Sequence, residues 1–176
     1  MNLADRALAA FERVFPAEEA SAHCDIPCAI YDPHAAQVAA LTVIRMYQLM
    51  QDTPSPDGTA GKDQRDDYVH KMTRFTVVKE EHAQICKREV LILWTDYFKP
   101  EHLEKFPELH DLVWKTTKLC SNVKQTINME AAQQLLENVN KIAEIFWQTK
   151  GQQVTRQPSG QQAGGEFATP QMAAAR

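Results

Sequence analysis

Three residues near the N-terminus carry the strongest chemical character in the chain: His23, Cys24 and Cys28, within the run His23-Cys24-Asp25-Ile26-Pro27-Cys28. A Cys-x-x-x-Cys pair by its spacing fits a redox disulfide, half of a zinc site, or two unrelated thiols. Cleavage of the peptide bond before His23 changes the chemistry. The freed α-amine of His23, the deprotonated amide nitrogen of Cys24 and the Cys24 thiolate then bind one ion through two fused five-membered rings. Cys28 returns a second thiolate across the turn Asp25-Ile26-Pro27. Two nitrogens and two thiolates in a plane suit Ni(II) or Cu(II) and do not suit zinc, which prefers a tetrahedron. The imidazole of His23 stands ready as an axial ligand. Thiolates and an amidate push electron density onto nickel and bring a Ni(II)/Ni(III) couple within reach. A couple of that kind can oxidise one superoxide and reduce the next.

The elements around this segment must free it at one end and hold it at the other. Residues 1–22 read as a leader, with Leu3, Ala7, Leu8, Phe11 and Phe15 at helical spacing. Ala20 and Ala22 flank Ser21 in an A-x-A pattern, but Asp5, Arg6, Glu12 and Arg13 interrupt any apolar core of a secretory signal, so a cytoplasmic location is expected. The small, acidic connector from Pro16 to Ala22 has the character of an accessible protease site. Residues 23–33 contain two prolines and form a structured loop.

Four helical patterns follow. The first covers about 35–51, with Val38, Leu41, Ile44, Arg45 and Leu49 as its stripe, and stops at Pro54, Pro56 and Gly58. A long helix from about 64 to 98 places Val69, Met72, Phe75, Val78, Ile85 and Ile92 on its apolar side and ends at Pro100. A third runs from Leu109 through Val123, and Met129 to Lys150 supplies the last, with Leu135, Val139, Ile142, Ile145 and Phe146 inward and Gly151 as its cap. The expected fold is all-α, an antiparallel four-helix bundle over 23–150 with the hook at its N-terminus. Residues 151–176, rich in Gln, Gly, Pro and Ala, are expected to be a disordered tail.

Composition excludes several classes. The chain has 176 residues, 44% of them hydrophobic, a formal charge of −4 and a pI near 5.9, so it supports one core and offers no basic face for nucleic acid. No apolar run approaches the roughly 18 residues of a membrane span. Cysteines at 24, 28, 86 and 120 do not form a dense disulfide framework.

The run from His23 to Cys28, followed by Ile30-Tyr31-Asp32-Pro33, is similar to the hook motif H-C-D-x-P-C-x-x-Y-D-P of the nickel superoxide dismutases. Thr76–Glu80 (TVVKE), Leu93–Pro100 (LWTDYFKP), Pro107–His110 (PELH) and Ile145–Lys150 (IFWQTK) resemble further family segments, so the likeness spans about His23 to Lys150. It implies one nickel ion per subunit, a homohexamer, and a precursor cut by a dedicated maturation protease. It assigns the amine and axial imidazole to His23, the amide nitrogen and a thiolate to Cys24, and the second thiolate to Cys28. Tyr31 and Asp25 would surround the site, and Tyr97 resembles a further tyrosine near the hook. Ala29 stands where the family usually has Gly. Ala39 and His82 align with a glutamate and an arginine that orient the axial imidazole in some members, so turnover or pH dependence would differ here.

Other chemically capable residues have plainer readings. Cys86 and Cys120 read as small buried hydrophobes. His34, His70, His102 and His110 lack helical partners of ligand type. Trp94, Trp114, Phe146 and Trp147 belong to the core or to a subunit interface, and Lys87 and Lys99 are either solvated charges or guides for an anion. The competing function is a non-catalytic helical bundle that binds metal or senses redox state through Cys24 and Cys28, with its N-terminus intact.

Overall fold

The computed structural model describes residues 30–171. The chain divides into two units, 1–30 and 31–176, and the fold below is that of the second. The leader and the residues His23, Cys24, Asp25 and Cys28 lie outside the described residues.

Helix α1 spans His34–Asp52, α2 spans Lys62–Ile92, and a π turn over Leu93–Tyr97 continues α2. A short α3 over Pro100–Lys105, with proline in its first turn, precedes α4 over Leu109–Gln125 and α5 over Met129–Thr149. Helices α1, α2, α4 and α5 form the expected antiparallel bundle, in which α1 and α4 each pack against both α2 and α5. The short α3 was not expected from the sequence.

Local chemistry sets the ends. The Asp32 carboxylate accepts a 2.7 Å bond from the His34 amide and opens α1, and the Asn128 side chain accepts from the Ala131 amide at 3.0 Å and opens α5. The core runs through Leu41, Val43, Tyr47, Val90, Leu109, Val123, Leu135, Ile142 and Phe146. Lys79, in the Thr76–Glu80 run, is buried and donates to the Lys124 carbonyl at 2.8 Å and the Thr126 carbonyl at 3.3 Å. The Tyr47 hydroxyl is shared between the carbonyls of Val123 and Thr126, at 2.8 and 2.6 Å. Together they satisfy the open carbonyls at the C-terminal end of α4, where the helix dipole also favours a cation. Burial pulls the Lys79 ammonium below its ordinary pKa, and those carbonyls are what keep the group tolerable in the core.

The long helix departs from its expected stripe. Val69 and Ile85 are exposed, and the residues of α2 that are buried are Lys79, Ala83, Cys86 and Val90. Small side chains at 83 and 86 let α2 approach its neighbours closely, so the inner face was carried by residues of low hydrophobic signal.

The expected disordered tail over 151–176 is corrected for most of its length. Strand β1 (Val154–Pro158) pairs antiparallel with β2 (Glu166–Pro170), from Val154 opposite Pro170 to Pro158 opposite Glu166. Low hydrophobicity misled here because the ribbon is held mainly by polar contacts to the bundle. Gly160, Gly164 and Gly165 take positive φ in and beside its turn.

Candidate metal centre

Tyr31 and Tyr97 come together in the structure, their rings 5.6 Å apart. Tyr31 directly precedes Asp32-Pro33 at the root of α1, and Tyr97 ends the π turn. In that turn the Phe98 amide bonds back to the Leu93 carbonyl at 2.9 Å, a five-residue step that widens the helix. The Tyr97 hydroxyl bonds the Thr149 hydroxyl at 2.7 Å, and its ring packs on Phe146 at 4.5 Å and stacks on His102 at 5.7 Å. Three elements that are distant in sequence thus fix one phenol.

A cation completes the cluster. Lys150 Nζ lies 4.6 Å from the Phe146 ring centre and 5.6 Å from that of Tyr97. Sequence reasoning had considered Lys87 and Lys99 as guides for an anion and passed over Lys150. The signal that could have found it is its place at the end of the Ile145–Lys150 run beside an aromatic pair. Lys87 is tied to Ser121 at 3.3 Å.

The other candidates separate from this cluster. His82 bonds the Val78 carbonyl one turn back on its own helix at 2.9 Å. Fifteen residues along a helix of about 1.5 Å rise put it on the order of 20 Å from Tyr97. Ala39 is a buried methyl of the core and offers no hydrogen bond. Cys86 and Cys120 are buried, and a hydrogen bond that the Cys86 thiol donates to Cys120, with burial, pushes that thiol well above its ordinary pKa. Both are inert core thiols, as read from the sequence.

Among the described residues no group of three His, Cys, Asp or Glu side chains is placed to hold a metal ion, and no helix is long and apolar enough to cross a membrane. A groove lined by Phe106, Trp114, Lys118, Asn138 and Lys141 on the outside of α4 and α5 includes neither Tyr31 nor Tyr97. The donor set expected at His23, Cys24 and Cys28 lies outside the described residues, and its two nitrogens and two thiolates are a combination that suits nickel.

Comparison with known proteins bears on that donor set. Residues 18–150 match the family model for nickel-containing superoxide dismutase. The chain is 40% identical over 135 residues to a superoxide dismutase [Ni] of Streptomyces coelicolor, covering 77% of this chain and 93% of that one. It is 37% identical over 135 residues to the corresponding protein of Streptomyces seoulensis, with the same coverage. A solved native nickel superoxide dismutase superposes with a TM-score of 0.61 at 40% identity, covering 73% of this chain and 99% of that one. The match takes in the hook, the tyrosine pair and all four bundle helices, which a plain helical bundle with two incidental thiols does not explain. By sequence and by fold, the chain belongs to the nickel-containing superoxide dismutase family.

Proposed function

We propose that this chain disproportionates superoxide to oxygen and hydrogen peroxide at His23, Cys24 and Cys28, once residues 1–22 have been removed. The observation that carries the assignment to these residues is the family match over 18–150, which encloses the only hook-like donor run in the sequence. Nickel bound there supplies the Ni(II)/Ni(III) couple for one-electron exchange with superoxide.

The chain's own groups do the rest. Cleavage before His23 exposes an α-amine that an intact peptide bond would withhold, and two thiolates supply the electron density that nickel needs. His23 adds an imidazole. The resemblance gives Tyr31 and Tyr97 the role of limiting access for so small a substrate, and gives Asp25 that of supplying hydrogen bonds. Lys150, beside Tyr97, and Lys99 are the cations that would favour the approach of an anion. His82 and Ala39 provide neither the carboxylate nor the guanidinium that steadies the imidazole in some relatives, which shifts the pH dependence of turnover.

The same reading includes a dedicated maturation protease acting at Ala22, a homohexamer and a cytoplasmic location. Exposed Val69, Val77, Trp114 and Ile127 support assembly, because a monomer in water would leave them uncovered. Charged residues within the leader support the cytoplasmic location.

Cys24→Ser and Cys28→Ser test the assignment. Each should eliminate nickel from the processed protein and lower dismutation at least about 100-fold, since a hydroxyl does not replace a thiolate donor. Full nickel content in either variant would overturn it.

A further inference from the structure

The family match ends at residue 150, and the native relative is covered almost completely by 73% of this chain, so the hairpin over 154–170 is an addition to the shared body. A two-stranded ribbon of five-residue strands is marginal alone in water. What holds it identifies what it holds.

Strand β2 is fastened to the first turn of α1. Gln37 is buried and donates to the Asn140 side-chain oxygen at 2.8 Å and to the Ala168 carbonyl at 3.1 Å. Asn140, on α5, accepts from the Ala168 amide at 3.1 Å and donates to the Glu166 carbonyl at 2.8 Å. The Phe167 ring lies edge-on to His34, the first residue of α1, at 5.4 Å. Gly165 sits so close that an added Cβ would meet Leu136 at 3.0 Å and Leu41 at 3.1 Å, and its φ of +73° suits glycine. Strand β1 is anchored by Arg156, which bonds Glu144 and, at 2.9 Å, Glu137 on α5.

The first turn of a helix is where a helix frays, because its amides lack intrahelical partners. Here that turn is also the root of the hook, since only Ala29 to Pro33 separate Cys28 from His34. We propose that the C-terminal hairpin is a strap that pins the first turn of α1 to α5 and so gives the nickel hook a fixed root, with Gln37, Asn140 and Phe167 as its positioning residues. The strap adds no ligand. It narrows the range of positions from which Cys24 and Cys28 close on the ion, and so raises nickel affinity through preorganisation. The effect on nickel rests on the assignment of the metal to residues 23–28.

The test compares the processed full chain with a chain truncated after Gln153, which keeps the Gln152 amide that bonds the Trp147 carbonyl at the end of α5. The covered relatives show that the bundle folds without a hairpin. Nickel affinity by chelator competition should weaken about tenfold on truncation, the low end for partners that orient ligands from outside the first layer. Amide exchange should accelerate over residues 31–40 and stay unchanged over 113–123 in α4. Phe167→Ala in the full chain should move both readouts in the same direction by a smaller amount, and it decides the matter if truncation loosens α4 as well. Unchanged nickel affinity, with or without faster exchange, would overturn the strap as a positioning element. A full chain that binds no nickel would sink the proposed function instead, and exchange over 31–40 would then decide whether the strap holds the root.

Discussion

Helices α5 and α2 are both long members of one bundle, yet they use their side chains in opposite ways. Helix α5 buries eleven of its 21 residues, because α1, α4 and the hairpin cover three of its sides. Helix α2 buries four of 31 and leaves Val69, Val77, Ile85 and Leu91 exposed. The α1/α5 face is closed by the chain's own C-terminus, through a buried polar network rather than a greasy one. Among the described residues the α2 face is left open with aliphatic side chains on it, and there a second copy of the chain would find apolar area to cover. A closed face makes its stability internally; an open one gains stability only where something covers it.

The largest effect is expected where the closed face is broken at its centre. Asn140→Ala leaves the Ala168 amide and the Glu166 carbonyl without their partner and takes from the Gln37 amide one of its two acceptors. Unpaired buried polar groups cost about 1–3 kcal/mol each, and partial relaxation brings the expected loss to roughly 3 kcal/mol in urea unfolding. A loss below about 1 kcal/mol would mean that the network does not hold the hairpin.

The open face should respond in assembly and hardly at all in stability. Val69→Lys combined with Val77→Lys should break the homo-oligomer in sedimentation while changing the unfolding free energy of the dissociated chain by less than about 0.5 kcal/mol. An unchanged oligomer would move the interface elsewhere.

A smaller loss of stability than at Asn140 is expected at the rim of the closed face. Arg156→Gln removes a guanidinium from two carboxylates that are partly exposed, so solvent screening limits its contribution to about 1 kcal/mol at neutral pH. The Arg156 hydrogen bond holds the Glu137 carboxyl below the usual range. A depressed carboxylate stabilises the fold above its unfolded pKa of about 4.3 and loses that contribution as pH falls through its folded value. The difference between wild type and Arg156→Gln should therefore be full at pH 7 and shrink below about pH 4.

The same contrast explains what the sequence made legible. Helix α5 was readable because Leu135, Val139, Ile142 and Phe146 repeat at helical spacing and all turn inward. Helix α2 was readable as a helix but not as a face, since its inner side is Ala83, Cys86 and an unexpected Lys79. The hairpin was hidden because its anchors are Gln37, Asn140 and Arg156, residues that signal solvent when read singly, and because its apolar contribution is little more than Phe167 and Ala168. Val154-Thr155 and Phe167-Ala168-Thr169 around a glycine-bearing turn were the available signal. At the site, the hook, which lies outside the described residues, was legible as an expectation from its motif and resemblance. The Tyr97–Thr149 bond and the place of Lys150 were not, because a π turn and three chain segments had to converge before either existed.

On the proposed function, His23 to Cys28 becomes a nickel site only when its amine is freed. Intact mass and nickel content, measured on the same sample from the native host with dismutation assayed alongside, test it most directly. The expected result is a chain beginning at His23 with one nickel ion, and activity proportional to the cleaved fraction. Nickel and full activity in a chain that still carries residues 1–22, or a cleaved and active chain without nickel, would contradict it.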